Sequence, residues 1–171
     1  MNVAIFIEDK YGPGFLRKVI SRLRDESYIK NTIKFARETH SLIKRCHNVG
    51  SKVKSVVRDV DKVIIVIDKE NSREYDENRE IWRHLEELSK IDKKKIVVIA
   101  TDPCIEEWIC ISLNLNFDRD GYDIERKPDR VLKKEKGYRK SQLPKYADLL
   151  DFEKLLKKSS SFKKFYENFL R

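Results

Sequence analysis

The sequence predicts an α/β fold with a four-stranded parallel sheet and helices on both faces, and two observations carry that expectation. Three short runs, Val3-Ala4-Ile5-Phe6-Ile7, Val63-Ile64-Ile65-Val66-Ile67 and Ile96-Val97-Val98-Ile99-Ala100, are apolar throughout, as strands buried on both faces are. Apolar residues at helical spacing follow each run, so strands and helices alternate, which favours parallel pairing with crossover helices.

The elements follow in order. Gly12-Pro13-Gly14 turns the chain after the first run, and Phe15, Val19, Ile20 and Leu23 place a helix within residues 13 to 26. Residues 31 to 38 alternate apolar and polar, the pattern of a strand at an edge or exposed on one face. A helix is expected within residues 42 to 60, with Asn48-Val49-Gly50 a point of interruption. The strand ending at Asp68 leads into a polar loop, 69 to 77, and a helix near 76 to 90 with Ile81, Leu85 and Leu88 inward. After the strand at 95 to 100, Asp102-Pro103 reads as a helix start, Asp at the N-cap and Pro at N1, with Ile105, Trp108, Ile109 and Ser112 on one face. Residues 116 to 127 read as a loop, and residues 128 to 170 as helices broken near Gly137 and Pro144. Ser159-Ser160-Ser161 caps the last of them, whose Phe162, Phe165, Tyr166 and Phe169 are expected to pack on the domain, with base stacking as the rival role. The chain thus divides into an α/β domain over 1–120 and a helical, basic extension over 121–171 packed on it.

A length of 171 residues suits one principal domain. Cys46, Cys104 and Cys110 form no CxxC pair, which argues for reduced thiols and against a disulfide framework or zinc knuckle. No apolar run approaches membrane-spanning length, and Met1-Asn2 passes directly into a strand without a signal-like segment, so a soluble, cytoplasmic protein with no membrane partner is expected. The net charge is +9; residues 121 to 171 hold 15 Lys/Arg against 8 Asp/Glu, or +7, leaving +2 for residues 1 to 120. A basic face beside an acidic cleft suits a polyanion, although Lys-rich helices are also commonly just solvated. His40, His47 and His84 share no ligand spacing, and Trp82 and Trp108 read as core.

The acids carry the chemistry. Glu8-Asp9, Asp68-Lys69-Glu70 and Thr101-Asp102 each follow a strand, so in a parallel sheet they meet at the carboxyl edge, where open α/β sheets bind ligands. Like charges crowded there repel unless a cation or proton intervenes, and Mg²⁺ or Mn²⁺ is the economical answer. Asp68 and Glu70, at i and i+2, leave the strand on the same side and can share one ion. Glu8 suits a bridging ligand or the general base for an attacking water; Asp9 is the weaker competitor, because adjacent strand residues face opposite ways. Glu106 and Glu107 could simply complement a helix dipole, and the 100° between them leaves room for only one at a site.

The order of these features, Glu8 after the first strand, Asp68-Lys69-Glu70 after the third and Pro103-Cys104-Ile105-Glu106-Glu107-Trp108-Ile109 after the fourth, resembles the Toprim fold. It is similar to the compact Toprim nucleases of the OLD and RloB-like kind, several of which accompany phage-defence systems. Gly137-Tyr138-Arg139-Lys140 and Ser159-Ser160-Ser161-Phe162-Lys163-Lys164-Phe165 look like the C-terminal region of small RloB-like proteins. The resemblance implies metal-dependent phosphodiester hydrolysis, with Glu8, Asp68, Glu70 and Glu106 as metal ligands and Glu8 and Lys140 catalytic. Lys140, with Arg139, Lys133 and Lys134 behind it, could neutralise phosphates of a nucleic acid, for which DNA is expected ahead of RNA while the sequence itself leaves the two open. Four acids suffice for two ions, and one-ion chemistry stays open. Three departures stand out: Asp9-Lys10-Tyr11 separates Glu8 from Gly12, Asp-x-Glu replaces the usual Asp-x-Asp, and no OLD-type ATPase domain is present, so nucleotide-driven control would need an ATPase partner. Two other readings fit the same sheet edge. One is a receiver-like phosphoacceptor, with Glu8-Asp9, Asp68 and Thr101, which needs a fifth strand ending in Lys where no strand pattern follows residue 115. The other is a non-catalytic nucleic-acid-binding module. The sequence leaves the oligomeric state open.

Overall fold

In the computed structural model, which describes residues 1–35, 40–41, 49–69, 77–120 and 122–170, the three apolar runs are the central strands. In chain order the elements are β1 (Asn2–Ile7), α1 (Gly12–Asp25), β2 (Lys34–Phe35), β3 (His40–Ser41), α2 (Val49–Lys54), β4 (Lys62–Asp68), α3 (Glu77–His84), α4 (Lys90–Lys94) and β5 (Ile96–Thr101). Then come α5 (Glu107–Ser112), α6 (Pro128–Lys136), α7 (Leu143–Tyr146), α8 (Phe152–Lys158) and α9 (Ser160–Glu167), with no further strand among the described residues.

All pairings are parallel. β4 lies between β1 and β5, in register from Val3↔Lys62 to Ile7↔Val66 and from Val63↔Ile96 to Asp68↔Thr101. The outer edge of β1 carries two short ladders, Asn2↔Lys34 with β2 and Ile7↔Ser41 with β3. The edge strand expected over 31 to 38 is therefore seen only at Lys34–Phe35; residues 36 to 38 lie outside the described ones, as do residues 42 to 48 of the next expected helix. Three strands make the shown sheet, with two-residue additions at one edge.

Strand residues alternate between two apolar cores. Val3, Ile5, Ile7, Ile64, Val66 and Ile99 join α1, α5 and the C-terminal helices, while Ala4, Phe6, Val63, Ile65, Ile67, Ile96 and Val98 join Val53 of α2 and Ile81 of α3. Both faces are thus covered by helices. Leu85 and Leu88, expected to point inward, belong to the second core, although the chain there has already left α3.

The C-terminal helices are built into the first core. Trp108 of α5 is fully buried, its ring edge-on to Phe162 at 5.0 Å, and its indole N–H donates to Ser161 Oγ at 2.8 Å. Truncating such a residue typically costs about 3–5 kcal/mol. Phe162, Phe165 and Phe169 are at most 2 % exposed, so they cannot stack on bases. Tyr166 donates its hydroxyl to the Tyr28 carbonyl at 3.1 Å. Arg22 of α1 donates to the carbonyls of Ala147 and Leu150 at 2.7 and 3.0 Å, clamping α1 against the extension. Gly137, at φ 63°, ends α6 in the left-handed conformation, Pro144 sits in the first turn of α7, and Ser159 Oγ caps α9 by accepting the Phe162 N–H at 3.1 Å.

One helix start differs from expectation. α5 begins at Glu107 with Glu106 in the N-cap position, and Asp102 is not its cap. The Ile105 N–H donates to Asp68 Oδ1 at 3.0 Å, so residues 103 to 106 curl over the end of β4 before the helix begins. Among the described residues no helix is long and apolar enough to cross a membrane.

Candidate functional site

The carboxyl ends of β1, β4 and β5 converge on a cluster of acids around one lysine. Gly12 opens α1 hard against β1, where a Cβ would lie 2.6 Å from Ile7 Cδ1, so the connecting turn is short and tight. Within it, Asp9 Oδ1 accepts the Tyr11 and Gly12 N–H groups at 2.5 and 3.1 Å, and Asp9 Oδ2 pairs with Lys140 Nζ at 2.8 Å. The expectation that Asp9 faces away is corrected here. β1 ends at Ile7, so strand alternation no longer governs Asp9, which the helix-start turn aims at the cluster.

Glu8 Oε2 accepts the Asp68 N–H at 3.2 Å, bringing the two sequence-predicted acids side by side. Asp68, the last residue of β4, accepts at Oδ1 from Thr101 Oγ1 (2.9 Å) and the Ile105 N–H (3.0 Å). Its other oxygen, Oδ2, accepts no hydrogen bond from the described residues. Glu106 is fully buried; Oε1 accepts from the Tyr138 hydroxyl at 2.9 Å and from Lys140 Nζ at 2.6 Å, while Oε2 has no hydrogen-bond partner of good geometry among the described residues, the Cys104 thiol lying against the same carboxylate. A buried carboxylate oxygen left unpaired is costly.

Among the described residues, Lys140 is the cation that touches Glu106 and Asp9 directly, with Lys127 and Arg130 further along the cavity wall. Burial, and then the charge of Glu106, push the Asp68 carboxyl up to about 7, against the opposing pull of Lys140 and the Thr101 hydrogen bond. Burial works against the Lys140 ammonium, yet the Glu106 and Asp68 charges win and hold it protonated above the usual lysine range. Burial and the nearby Glu106 raise the Tyr138 hydroxyl, so it donates rather than ionises. The Cys104 thiol is raised by burial and by Glu106 and Asp68, which makes it a poor nucleophile.

A cavity of about 380 Å³ opens on this cluster, lined by Asp68, Cys104, Glu106 and Lys140 and also by Ile124, Lys127 and Arg130. Of the expected residues, the structure brings Glu8, Asp68, Glu106 and Lys140 together. Glu70 lies outside the described residues. Lys133, Lys134 and Arg139 are exposed and do not line the cavity; Lys127 and Arg130 take that position. The sequence reading ranks Asp9 below Glu8 and assigns nothing to Tyr138, Lys127 or Arg130 at the site. The Asp-x-x-Gly spacing of Asp9 and Gly12, which suits a side-chain-capped turn, was the one available signal for Asp9.

Adjacent Glu107 turns the other way, as helix geometry requires. Its Oε1 accepts the Asp102 N–H at 3.1 Å, Ser159 Oγ at 3.4 Å and Ser161 Oγ, and it belongs to packing rather than to the site.

Among the described residues no three His, Cys, Asp or Glu side chains form a metal-holding group. What they present is the pair Asp68 and Glu106, each with an oxygen to spare. Two carboxylates match the number by which Mg²⁺ is commonly held, with water and substrate phosphate completing its shell. The pair does not by itself make a two-ion site. Comparison with known proteins finds no matching family model, no similar curated protein and no similar solved structure.

Proposed function

We propose that the protein hydrolyses phosphodiester bonds in nucleic acid, DNA in the first instance, with a divalent cation at a Toprim-like site. The observation that carries this reading is the buried Glu106 Oε2, without a hydrogen-bond partner among the described residues, on the cavity that Asp68 also lines. Asp68 and Glu106 would hold the ion, with Glu70 the further ligand that the Toprim resemblance supplies. When bound, Mg²⁺ or Mn²⁺ polarises the scissile phosphate and acidifies water. Glu8, fixed through the Asp68 N–H, takes the proton from the attacking water. Lys140 balances charge on the phosphate, having exchanged its contact with Asp9 for one with substrate. Lys133, Lys134 and Arg139 supply outlying phosphate contacts, and control by an ATPase partner belongs to the same reading.

The receiver-like alternative draws support from the Thr101 hydroxyl on Asp68 and from Lys140, which reaches the pocket from the extension instead of from a fifth strand. Glu106 weighs against it, since a phosphoryl dianion on Asp68 would meet the repulsion that already raises this carboxyl. Cleavage assays with Mg²⁺ or Mn²⁺ on single-stranded DNA, duplex DNA and structured RNA decide the matter. Cutting that Asp68→Ala abolishes while binding persists supports the nuclease; binding without cutting supports the non-catalytic module; labelling of Asp68 by acetyl phosphate supports the phosphoacceptor. Anomalous scattering from crystals soaked in Mn²⁺ would count the ions.

A further inference from the structure

The cavity wall opposite in charge to the acids comes from a loop whose shape is fixed by hydrogen bonds rather than by burial. Asp118 accepts the Asp120 and Asp123 N–H groups at 3.0 and 2.7 Å, Asp123 Oδ1 accepts the Glu125 N–H at 3.0 Å, and the Asp118 N–H donates to the Arg126 carbonyl at 2.9 Å. On this braced loop sit Tyr122 and Ile124, 62 % and 60 % exposed, two of the five large hydrophobic side chains exposed among the described residues. Asp123 between them is extended (φ −90°, ψ 105°) and caps the short turn that begins at Ile124. Ile124 lines the cavity itself, Tyr122 stands outside its lining, and Lys127, Asp129 and Arg130 line it from the start of α6. Exposed apolar surface beside Lys127 and Arg130 offers a base a face to lie on and its phosphate two cations, while Asp129 and the acids of the floor call for a divalent ion to offset them.

We propose that this cavity seats one unpaired nucleotide of a single-stranded segment, its base against Ile124 and Tyr122 and its phosphates among Lys127, Arg130 and Lys140. The proposal rests on the phosphodiester reading and narrows its substrate. The volume agrees, because 380 Å³ lies at the small end of ligand sites, about 300–1,000 Å³, with room for one nucleotide and not for a base pair with both its backbones.

Fluorescence anisotropy with Ca²⁺ in place of Mg²⁺, and gels confirming that the DNA stays intact, tests this with a labelled DNA strand of about twelve nucleotides and its blunt duplex. The single strand should bind at least about tenfold more tightly, and the double variant Tyr122→Ala/Ile124→Ala should lose that preference by weakening the single strand alone. Both positions are exposed, so folding is not at stake. Lys133→Ala/Lys134→Ala should weaken both ligands alike. Equal or tighter duplex binding, a preference that survives the loop variant, or no binding of either DNA overturns the proposal. A preference found in a protein that cuts nothing with Mg²⁺ leaves this inference standing while the hydrolytic reading falls.

Discussion

Glu106 and Glu107 are neighbours in sequence, both buried, and they occupy opposite kinds of environment. Glu107 is embraced by two serine hydroxyls and a backbone N–H, all converging on one oxygen, in a pocket sealed by α9. Glu106 has one oxygen engaged by Tyr138 and Lys140 and the other unpaired on a cavity that also holds Asp68. A satisfied buried carboxylate locks elements together; an unsatisfied one beside like charge stores an affinity for cations. The difference teaches where this molecule spends stability and where it keeps chemical potential.

The largest effect expected from that contrast is on catalysis. Asp68→Asn and Glu106→Gln keep shape and hydrogen bonding yet remove a ligand charge each, and either should lower metal-dependent cleavage by about 10³-fold or more. Glu107→Gln should leave cleavage per folded molecule within about twofold, since Glu107 touches nothing at the cavity. Rates for the three variants measured side by side settle it; equal losses would mean that the two carboxylates are not distinct in role.

Next in size is stability. Glu107→Ala strips Ser159, Ser161 and the Asp102 N–H of a shared acceptor and should cost about 3 kcal/mol in urea unfolding, with Glu107→Gln recovering most of it.

The two acids also set a pH dependence whose parts can be separated. Burial pushes Asp68 and Glu107 each up to about 7 from ordinary values of 3.8 and 4.5. The folded protein therefore binds more protons than the unfolded chain between about pH 4 and 7, and stability falls as pH rises through that window. Asp68→Asn and Glu107→Gln should each flatten part of the fall. Mg²⁺ at pH 8, at about a hundred times its dissociation constant, should raise Tm by roughly 5 to 10 °C in the unmodified protein and in Glu107→Gln. In Asp68→Asn it should do nothing. Scanning calorimetry at several pH values reads all of these, and an Mg²⁺ response that survives Asp68→Asn would place the ion elsewhere.

How much of this was legible in the sequence follows from range. The central strands were, because doubly buried strands are apolar in every residue and β-branched runs such as Val63-Ile64-Ile65-Val66-Ile67 say so locally. The meeting of Glu8 and Asp68 was legible too, since parallel pairing brings strand ends together by topology alone. The start of α5 was not: Asp102-Pro103 carries the local signature of a helix start, but the Ile105 N–H is taken by Asp68, thirty-seven residues away. Asp9 ranks too low in the sequence because strand alternation does not extend two residues past the end of β1 at Ile7. Lys127 and Arg130 were passed over in favour of Lys133 and Lys134 because only the course of the 118–126 loop decides which lysines meet the cavity, and that course depends on Asp118 bonding forward to Asp123.

The smallest expected effect probes the engaged oxygen of Glu106. Tyr138→Phe removes one hydroxyl donor and leaves the ring, which packs edge-on to Tyr146 at 5.2 Å, in place. Lys140 still holds Oε1, so the deletion should cost only about 1 kcal/mol of stability. Its sign on metal affinity is the informative part: with one donor fewer, the Glu106 carboxylate carries more charge to offer a cation, and Mg²⁺ should bind the variant at least as tightly as the unmodified protein. Calorimetric titration that instead showed Mg²⁺ affinity lost together with the hydroxyl would mean that Tyr138 holds Glu106 in its cation-binding pose, and the line between the engaged and the open oxygen would have to be redrawn.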